Sequence, residues 1–491
     1  MLKAAEVAKH NTRESCWVIV QGRVYDVTDF LDDHPAGPSI ILRYGGKDAT
    51  EEYLPVHPPG TIEKELPPEK HLGELNQQSA ESVAGNKPEP AAASAANSTP
   101  LEICVCLDDF EQAARAVLSK RAWTYYCSAS ENLHSFRLNR QDWERILFRP
   151  RVLRNVQRVS MQRTLLGHKS NLPLFIAPAA LARLGHPDGE LCLSRGASAY
   201  NIPFIVSTAS SVSLEDLVQS MQGATGQGCL CFQLYVKKKN SETLAAIFRA
   251  KQLGFKALLV TVDTPVVGKR EEDDRYKAEQ ALEAGAPKAL PVPMRSSEQR
   301  SQSASGDDMM VLRGPYSSTL DWGELAWMRE AWGDDDSFGL KGVATAEDAL
   351  LAYESGIKRI YLSNHGGRQL DSAPSSLRTL LEIRNLCPHV LQQCEVLVDG
   401  GVRRATDIIK ALCLGARGVG LGRPFLYALS AHGTAGVYKA IQILSDELET
   451  SMRLLGVVDL DQLGPHLVNT RELDPFILPP APALRTRQSR I

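Results

Sequence analysis

The stretch EVLVDGGVRRATDIIKALCLGARGVGLGRPF, residues 395–425, decides the fold. It reads as a short apolar strand, a glycine turn, an amphipathic helix, a second strand and a second glycine turn. Strands that alternate with helices in this way imply a parallel sheet. The same unit is therefore expected elsewhere in the chain.

Short apolar strands followed by helical stretches recur upstream of this unit. The strands are PLFIAPAAL, IPFIVSTAS, CLCFQLYV, ALLVTVDTP and RIYLSNHGG, and the helices include ELCLSRGASAY, LEDLVQSM, ETLAAIFRAKQLG and AEDALLAYESG. At least seven such units favour a closed (β/α)8 TIM barrel over an open doubly wound sheet. Many of the strands end in a polar or glycine-rich cluster, and a barrel gathers such clusters at its C-terminal face. The sequence thus predicts one site assembled from distant positions.

The chain divides at a segment that is poor in large apolar residues. Residues 77–100, QQSAESVAGNKPEPAAASAANSTP, cannot bury enough surface to become ordered, so a flexible linker is predicted there. It separates a small domain, residues 1–76, from a barrel over residues 101–470 that is followed by a C-terminal tail, residues 471–491. Within the barrel, the long polar stretch 275–316 is predicted to be a lid or a disordered insertion.

Composition excludes several classes of protein. Of the 491 residues, 43% are hydrophobic, and 55 basic residues nearly balance 58 acidic ones, so no nucleic-acid footprint is implied. The sequence has no apolar run of the roughly 18 residues that a membrane span needs, so no membrane partner is expected. Ten cysteines without a CxxC pair indicate neither a disulfide scaffold nor a zinc site.

The small domain contains two histidines in turn-rich surroundings, His34 in DDHPAG and His57 in PVHPPG, 23 positions apart. Two imidazoles can hold one iron between them. The spacing taken alone fits two surface histidines better. The domain is also acidic, with 13 acidic and 8 basic residues, which leaves the rest of the chain near +2.

The small domain resembles cytochrome b5 along nearly its whole length. The matching stretches are EVAKHNTRESCWVIVQGRVYDVTDFLDDHP, GKDAT and the second histidine. By that resemblance the domain has an α+β fold, and His34 and His57 are the axial ligands of a haem b. The family's HPGG turn reads HPAG here, with Ala36 in place of a glycine, which predicts a strained turn if that position needs a positive φ.

The two glycine turns of residues 395–425 are suited to a phosphate. Backbone N–H groups at Gly400, Gly401 and Gly422, with Arg403 and Arg423 as cations, would hold a phosphate after the last two strands of a barrel. A single turn of this kind is weak support, since ordinary turns look the same. Two of them on consecutive strands, each followed by an arginine, favour a phosphate site.

The turn SNHGGRQLD places His365 and Arg368 around two glycines, directly after an apolar strand. An enzyme that removes hydrogen from a carbon beside a carboxylate needs a base and a guanidinium to hold that carboxylate. A buried structural histidine is an equally good interpretation of this turn alone.

The barrel segment resembles the FMN-dependent 2-hydroxy-acid oxidising family through SNHGGRQLD, VDGGVRR, LGRPF, VTVDTP and RPRVLRNV. Behind a cytochrome b5-like domain, it resembles the flavocytochrome b2 family of L-lactate:cytochrome c oxidoreductases. The resemblance implies that an L-2-hydroxy acid is oxidised, that electrons pass from FMN to haem b and on to a cytochrome c-like acceptor, and that the chain forms a homotetramer. An oxidase that makes peroxide and a non-catalytic haem and flavin electron carrier stay open as alternatives.

Residue roles follow from the same resemblance. His365 would be the base at the substrate α-carbon, and Asp263 would stabilise its protonated ring, a pairing that raises the pKa of a histidine. Arg368 and Tyr125 would hold the substrate carboxylate. Tyr235 would bond the substrate hydroxyl.

The resemblance also assigns the cations and the flavin contacts. Arg270 would add a second positive charge near the substrate, and Lys341 would face the N1/O2 edge of the flavin, where a cation stabilises negative charge. The remaining flavin positions are Pro178, Ala179, Ala180, Ser207, Gln233, Thr261, Ser363, Asp399, Gly400, Gly401, Val402, Arg403, Gly422 and Arg423.

Some positions depart from the family pattern. Ala129 in YYCSAS replaces a glycine, and Ala209 in STASS leaves more room over the flavin than Leu or Trp would, which predicts a substrate larger than lactate. Because no presequence is visible, a cytoplasmic location is expected. The mitochondrial intermembrane space is an alternative, and so is the peroxisome, since the ending LRTRQSRI resembles a weak peroxisomal address.

Overall fold

The structure, a computed structural model, describes residues 2–31, 34, 38–58, 60–76, 99–222, 228–283 and 316–477. Several of the predicted features fall outside these residues. They are Ala36, residues 77–98 of the predicted linker, residues 284–315 of the predicted lid or insertion, and residues 478–491 of the tail.

The small domain is a four-stranded antiparallel sheet with short helices. Its strands pair in the order β1 (Asn11–Thr12), β2 (Ser15–Val20), β3 (Arg23–Asp26) and β4 (His71–Glu74). Its helices are α1 (Ala4–Val7), α2 (Pro38–Leu42), α3 (Thr50–Tyr53) and α4 (Thr61–Glu65). Side chains of β2 alternate between two apolar clusters, as a strand requires.

A helical segment leads into the barrel. It comprises α5 (Leu107–Val117), α6 (Lys120–Cys127) and α7 (His134–Glu144), followed by the short strands β5 (Leu147–Phe148), β6 (Arg163–Leu165) and β7 (His168–Ser170). Strands β6 and β7 form a small antiparallel hairpin outside the barrel.

Eight parallel strands close into a barrel, so the predicted TIM barrel is confirmed and the open sheet is excluded. In order of pairing they are β8 (Leu174–Ile176), β9 (Pro203–Ser207), β10 (Cys229–Leu234), β11 (Leu258–Thr261), β12 (Phe338–Val343), β13 (Arg359–Leu362), β14 (Glu395–Val398) and β15 (Gly418–Leu421). Strand β15 pairs back to β8.

Helices alternate with these strands. They are α8 (Glu190–Tyr200), α9 (Leu214–Gln222), α10 (Asn240–Gln252), α11 (Glu271–Glu283), α12 (Leu325–Trp332), α13 (Ala346–Glu354), α14 (Ser376–Leu386), α15 (Pro388–Gln393), α16 (Ala405–Cys413) and α17 (Arg423–Leu455), after which β16 (Val468–Asn469) pairs with β5. Helix α11 includes residues 275–283, the first part of the predicted lid or insertion. Among the described residues, no helix combines the length and apolarity that crossing a bilayer requires.

The barrel interior is packed with side chains. One residue from each of several strands points inward, and together they form a separate buried cluster that includes Phe175, Ile205, Cys231, Leu259, Tyr361 and Leu397. The opposite faces of the same strands pack against the surrounding helices. Because the interior is filled in this way, a ligand of the barrel is expected at its mouth, where the carboxyl ends of the strands meet.

Candidate active site and candidate haem site

A cleft opens at the C-terminal mouth of the barrel, with an empty volume of about 1380 Å³ that includes its opening to solvent. Most of the predicted site residues share its wall. They are Tyr125, Pro178, Ala179, Ala180, Ser207, Gln233, Tyr235, Arg270, Lys341, His365, Arg368, Asp399, Gly400, Gly401, Val402, Arg403, Gly422 and Arg423.

Three predicted residues, Thr261, Asp263 and Ser363, do not line the cleft but contact side chains that do. The Gln233 side-chain amide donates to the Thr261 hydroxyl at 2.8 Å. The Ser363 hydroxyl accepts from the Lys341 ammonium at 3.1 Å and from the backbone N–H of His365 at 3.1 Å. Both hydroxyls therefore orient residues that face the cleft.

His365 is held on both ring nitrogens. Its Nδ1 lies 2.9 Å from Asp263 Oδ1, and its Nε2 lies 3.1 Å from the Tyr235 hydroxyl. Because an ionised carboxylate can only accept, Nδ1 carries the proton and donates it to Asp263. Nε2 then keeps its lone pair, which accepts from the Tyr235 hydroxyl, and this is the tautomer that a base at Nε2 requires.

The pKa values of this pair are shifted in the direction that keeps the base neutral. Burial alone would raise the pKa of Asp263, but the charges of His365 and Lys341 and hydrogen bonds from His365 and Thr264 lower it to about 2. Burial lowers the pKa of His365, and the nearby charges of Lys341 and Arg270 lower it further. Asp263 does raise the pKa of His365 as expected, but burial outweighs this contribution.

The backbone places His365 at the mouth through an unusual turn. His365 has a φ of 58° and Gly366 a φ of 65°. Asn364, one residue earlier, exchanges two side-chain amide hydrogen bonds of 2.8 Å with the buried Asn139 of α7. Asn364 Oδ1 also accepts from Gly367 N–H, so a buried amide pair fixes the turn. Asn139 was not predicted from the sequence, because its partner lies 225 positions away.

Two of the predicted arginines are anchored by backbone carbonyls. Arg368 donates to the carbonyls of Tyr125 and Ser128, each at 2.8 Å, and its guanidinium lies 5.1 Å from the centre of the Tyr125 ring. Burial and the neighbouring Arg270 lower the pKa of Arg368 to about 9. Arg423 donates to the carbonyls of Tyr126, Gly366 and Ser128.

Arg270 differs from these two arginines. Its buried Nε has no hydrogen-bond partner among the described residues. A buried guanidinium N–H without a partner is costly. An anion in the cleft would satisfy it, which is compatible with the prediction that Arg270 adds a second positive charge near the substrate.

An aromatic residue of the cleft was not predicted from the sequence. Tyr316 stacks on Tyr235 with ring centres 4.3 Å apart and an interplanar angle of 23°. Burial raises the pKa of Tyr316 to about 12 and that of Tyr235 well above its usual value, so both phenols stay protonated. Tyr316 was overlooked because it ends the stretch that was interpreted as a lid or insertion.

The glycine turns after β14 and β15 have the form that a phosphate needs. Gly400 and Gly401 have φ values of 99° and 76°, and a Cβ at Gly401 would lie 1.9 Å from the Asn139 carbonyl oxygen. A Cβ at Gly422 would meet nothing closer than 4.0 Å, so this backbone borders open space at the first turn of α17. Unpaired N–H groups at a helix start attract anions.

Two buried side-chain atoms near these turns have no hydrogen-bond partner among the described residues. Asp399 Oδ2 accepts from the Tyr361 hydroxyl at 2.8 Å, whereas its buried Oδ1 has no partner among the described residues. Arg403 pairs with Glu111 through Nη2 at 2.7 Å, whereas its buried Nη1 has none there. A ligand with hydroxyl groups and a phosphate would satisfy both atoms, so the residues present fit FMN.

The small domain brings its two predicted histidines together. The ring centres of His34 and His57 lie 6.0 Å apart. Metal–imidazole bonds of about 2 Å on opposite sides of one ion need ring centres at about this separation. His57 Nδ1 donates to the Tyr53 carbonyl at 3.1 Å, which leaves Nε2 for a metal. Burial lowers the pKa of His57 and keeps it in the neutral form that a ligand requires.

The surroundings of these rings are apolar and aromatic. His57 stacks on Tyr53 with ring centres 4.3 Å apart, and the edge of His34 faces Phe30. Both aromatic residues pack against the apolar cluster on one side of the sheet. The residues present therefore fit a bis-histidine haem.

Each of the two parts of the chain matches the model of a known protein family. The model of the FMN-dependent dehydrogenase family matches residues 114–470, and the model of the cytochrome b5-like heme/steroid binding domain matches residues 3–76.

Individual proteins resemble the chain over most of its length. An L-lactate dehydrogenase (cytochrome) from Wickerhamomyces anomalus is 40% identical over 97% of this chain and 81% of its own length. A solved mutant of flavocytochrome b2 with pyruvate bound matches with a TM-score of 0.68 and 36% identity over 77% of this chain and 90% of that one. A mandelate oxidase mutant with (S)-mandelic acid matches with a TM-score of 0.62 and 32% identity over 74% of this chain and 98% of that one.

Proposed function

The chain belongs to the FMN-dependent dehydrogenase family and carries a cytochrome b5-like haem domain. On this premise we propose that it oxidises an L-2-hydroxy acid of the lactate type to the 2-oxo acid. The electrons would pass to a cytochrome c-like acceptor. It is an oxidoreductase with two cofactors, FMN and haem. FMN held in the cleft would supply two-electron oxidation of the substrate, and haem held by the small domain would supply one-electron transfer, so two acceptor molecules would be reduced per 2-oxo acid formed.

The observation that carries the proposal is the His365 pair at the cleft. A neutral Nε2 with its lone pair toward the cleft is a base, and Asp263 on the other nitrogen stabilises the ring once it holds a proton. His365 would take one proton from the substrate in either of two chemistries, removal of the α-carbon proton or of the hydroxyl proton. Tyr235, at 3.1 Å from Nε2, would bond the substrate hydroxyl.

The substrate carboxylate would lie against the cationic side of the cleft. Arg368 is fixed in place by two carbonyls and by the Tyr125 ring, so it is preorganised to receive an anion. Arg270 would satisfy its unpartnered Nε there. The Tyr125 hydroxyl would add a neutral donor.

FMN would be held by the rest of the wall. Lys341 is buried and bonded to Ser363, and it would face the N1/O2 edge of the flavin. Asp399 and Arg403 each have a buried atom to offer to the ribityl and phosphate groups, and Arg423 begins α17 beside Gly422. The flat part would lie along Pro178, Ala179, Ala180, Ser207 and Gln233, while the Thr261 and Ser363 hydroxyls orient Gln233 and Lys341. Gly400, Gly401 and Val402 would lie at the phosphate end.

His34 and His57 would be the axial ligands of a haem b. The 6.0 Å separation of their ring centres supports this assignment. We propose four segments along the chain. They are a haem-binding domain over residues 1–76, a linker over 77–100, the flavin barrel over 101–470 and a tail over 471–491. A homotetramer and a cytoplasmic location, with the mitochondrial intermembrane space and the peroxisome as alternatives, stay predictions.

One assay tests the choice of acceptor. The protein is mixed with L-lactate in air, and cytochrome c reduction and peroxide formation are followed together. We expect two molecules of cytochrome c to be reduced per molecule of pyruvate, with little peroxide. Stoichiometric peroxide without cytochrome c reduction would identify an oxidase instead. Formation of neither peroxide nor reduced cytochrome c would indicate a non-catalytic electron carrier.

A further inference from the structure

The haem domain and the barrel meet through side chains of short helices. Two side-chain contacts cross between them, Glu52 with Arg121 and Arg43 with Gln280. In addition, Lys64 lies near enough to Glu215 for its charge to lower the pKa of that carboxyl. We call these six residues the docking surface. On the haem side they belong to α3, to α4 and to the residue after α2, and on the barrel side to α6, α9 and α11.

The two contacts are of different kinds. Glu52 and Arg121 form an ion pair, and Arg43 Nη2 donates to Gln280 Oε1 at 2.6 Å. The pKa of Glu215 is lowered chiefly by its hydrogen bond from Arg249, and the charge of Lys64 lowers it further. An ion pair and a hydrogen bond therefore join the two domains, and a second pair of opposite charges, Lys64 and Glu215, lies nearby.

Arg121 is the centre of this surface. Burial lowers its pKa, and Tyr44 of the haem domain and Tyr276 of α11 oppose that shift. The side chains of Arg121 and Glu52 are still 31% and 43% exposed. An ion pair with that exposure contributes little to stability, but it orients two surfaces well.

The surface adjoins both redox sites. Glu52 precedes Tyr53, whose carbonyl and ring hold His57. Arg121 lies one helical turn before Tyr125, so the two side chains share a face of α6, and Tyr125 lines the flavin cleft. Helix α11 likewise starts at the residue after Arg270 and reaches Gln280 three turns later.

We propose that the docking surface is where the haem domain rests while it takes electrons from the barrel, and that the Glu52–Arg121 pair fixes the register of this contact. The inference rests on the proposed function, since it concerns the step from FMN to haem. It assigns Glu52 and Arg121 as positioning residues, which do not touch substrate or cofactor.

Charge reversal tests the inference in the full-length holoprotein. Glu52→Arg, Arg121→Glu and the double swap are mixed anaerobically with L-lactate in a stopped-flow instrument, and flavin and haem absorbance are followed separately. Each single reversal places like charges together and should slow haem reduction at least about tenfold, with flavin reduction within about twofold of wild type. The swap restores opposite charges and should recover most of the lost rate.

Lys120→Glu is the matched control. Lys120 precedes Arg121 on α6 and undergoes the same change of charge, but it pairs with Glu279 of the barrel. We expect haem reduction to stay near the wild-type rate in this variant. Haem reduction as slow as in Arg121→Glu would show a general effect of charge and would overturn the assigned pair.

The rates are also measured after photochemical reduction of the flavin without substrate. This measurement tests the docking surface even if the chain oxidises no 2-hydroxy acid. A wrong inference about docking can therefore be distinguished from a wrong proposed function. Haem reduction at the wild-type rate in both single reversals would overturn the inference. A swap as slow as the slower single variant would do the same.

Discussion

Two partly buried histidines of the chain, His365 and His57, are held in the same tautomer for different chemistry. His365 in the barrel and His57 in the haem domain each donate from Nδ1 and keep the lone pair on Nε2. Burial lowers the pKa of both, so both rings are neutral. The partner of Nδ1 distinguishes them, because it is the Asp263 carboxylate in one case and the Tyr53 carbonyl in the other.

This difference explains which ring can hold a proton. A carboxylate stabilises an imidazolium, so the Asp263 partner prepares His365 to accept a proton from a substrate. A carbonyl fixes the orientation of the ring without such a charge, which suits a metal ligand that must stay neutral. The fold therefore sets the function of a histidine through the group behind it.

The largest effect is expected from the variant that removes the base. His365→Gln keeps a polar side chain but cannot accept the proton, so flavin reduction by L-lactate should fall by about 10⁴-fold while both cofactors stay bound. Anaerobic single-turnover absorbance measures it. His389→Gln, the same change on the outer face of the barrel where His389 packs against Tyr353, is the control. Near-normal flavin reduction in His365→Gln would refute the assignment of the base.

The second variant acts on the other histidine. His57→Ala should lose the haem absorbance and the reduction of cytochrome c, with flavin reduction by substrate unchanged, because the flavin cleft lies wholly in the barrel. His71→Ala in the same domain is the control, since the His71 ring donates to the Leu66 carbonyl and makes a T-shaped contact with the Tyr25 ring, away from the His34–His57 pair. A full haem spectrum in His57→Ala would remove it as an axial ligand.

Local patterns were enough to predict the barrel, and the features that were missed depend on distant contacts. Seven strands were read from apolar runs, whereas β12 was not, because DDDS precedes it and two glycines interrupt it. Motifs after the strands gave most of the cleft wall. Asn139 could not be found, because its partner Asn364 is distant in sequence and the pair becomes visible only after folding.

The net pKa of His365 is a further example. The motif pairing predicted a raised value, since the sequence shows that an acid is available. The depth of burial and the positions of Lys341 and Arg270 depend on the closed barrel, and they reverse the direction. Ala36 lies outside the residues that the structure describes, so the strain of the HPAG turn stays a prediction.

An intermediate effect comes from the partner of the base. Asp263→Asn removes the carboxylate that stabilises the protonated ring, so flavin reduction should slow by about 10²-fold. The base works only when neutral, so kcat/KM falls as the pH drops through the pKa of His365. That pKa is lowered from 6.5, so the acid limb of wild type should lie below pH 6.5.

The same variant should move this limb further toward acid, because Asp263 is a group that raises the pKa of His365. Steady-state rates between about pH 4.5 and 8 measure both positions, a range set by ordinary carboxyl and imidazole pKa values. A limb that moves to higher pH in Asp263→Asn would contradict the account of the pair.

The smallest expected effect concerns substrate size. Ala209 is part of the cleft wall and leaves room that Leu would fill. We expect L-mandelate to rival L-lactate in kcat/KM in wild type, and Ala209→Leu to shift the ratio toward lactate by about 10-fold to 100-fold. Ala209→Gly serves as the control of opposite size. A strict preference for lactate in wild type would contradict this prediction.

The central claim is that the chain oxidises a 2-hydroxy acid in the barrel and passes the electrons to its own haem. Anaerobic addition of L-lactate, and separately of L-mandelate, to the holoprotein tests it most directly, with flavin and haem absorbance recorded together. The account predicts that the flavin bleaches first and that the haem is then reduced. Cofactors that are both bound and unchanged after either acid is added would contradict it.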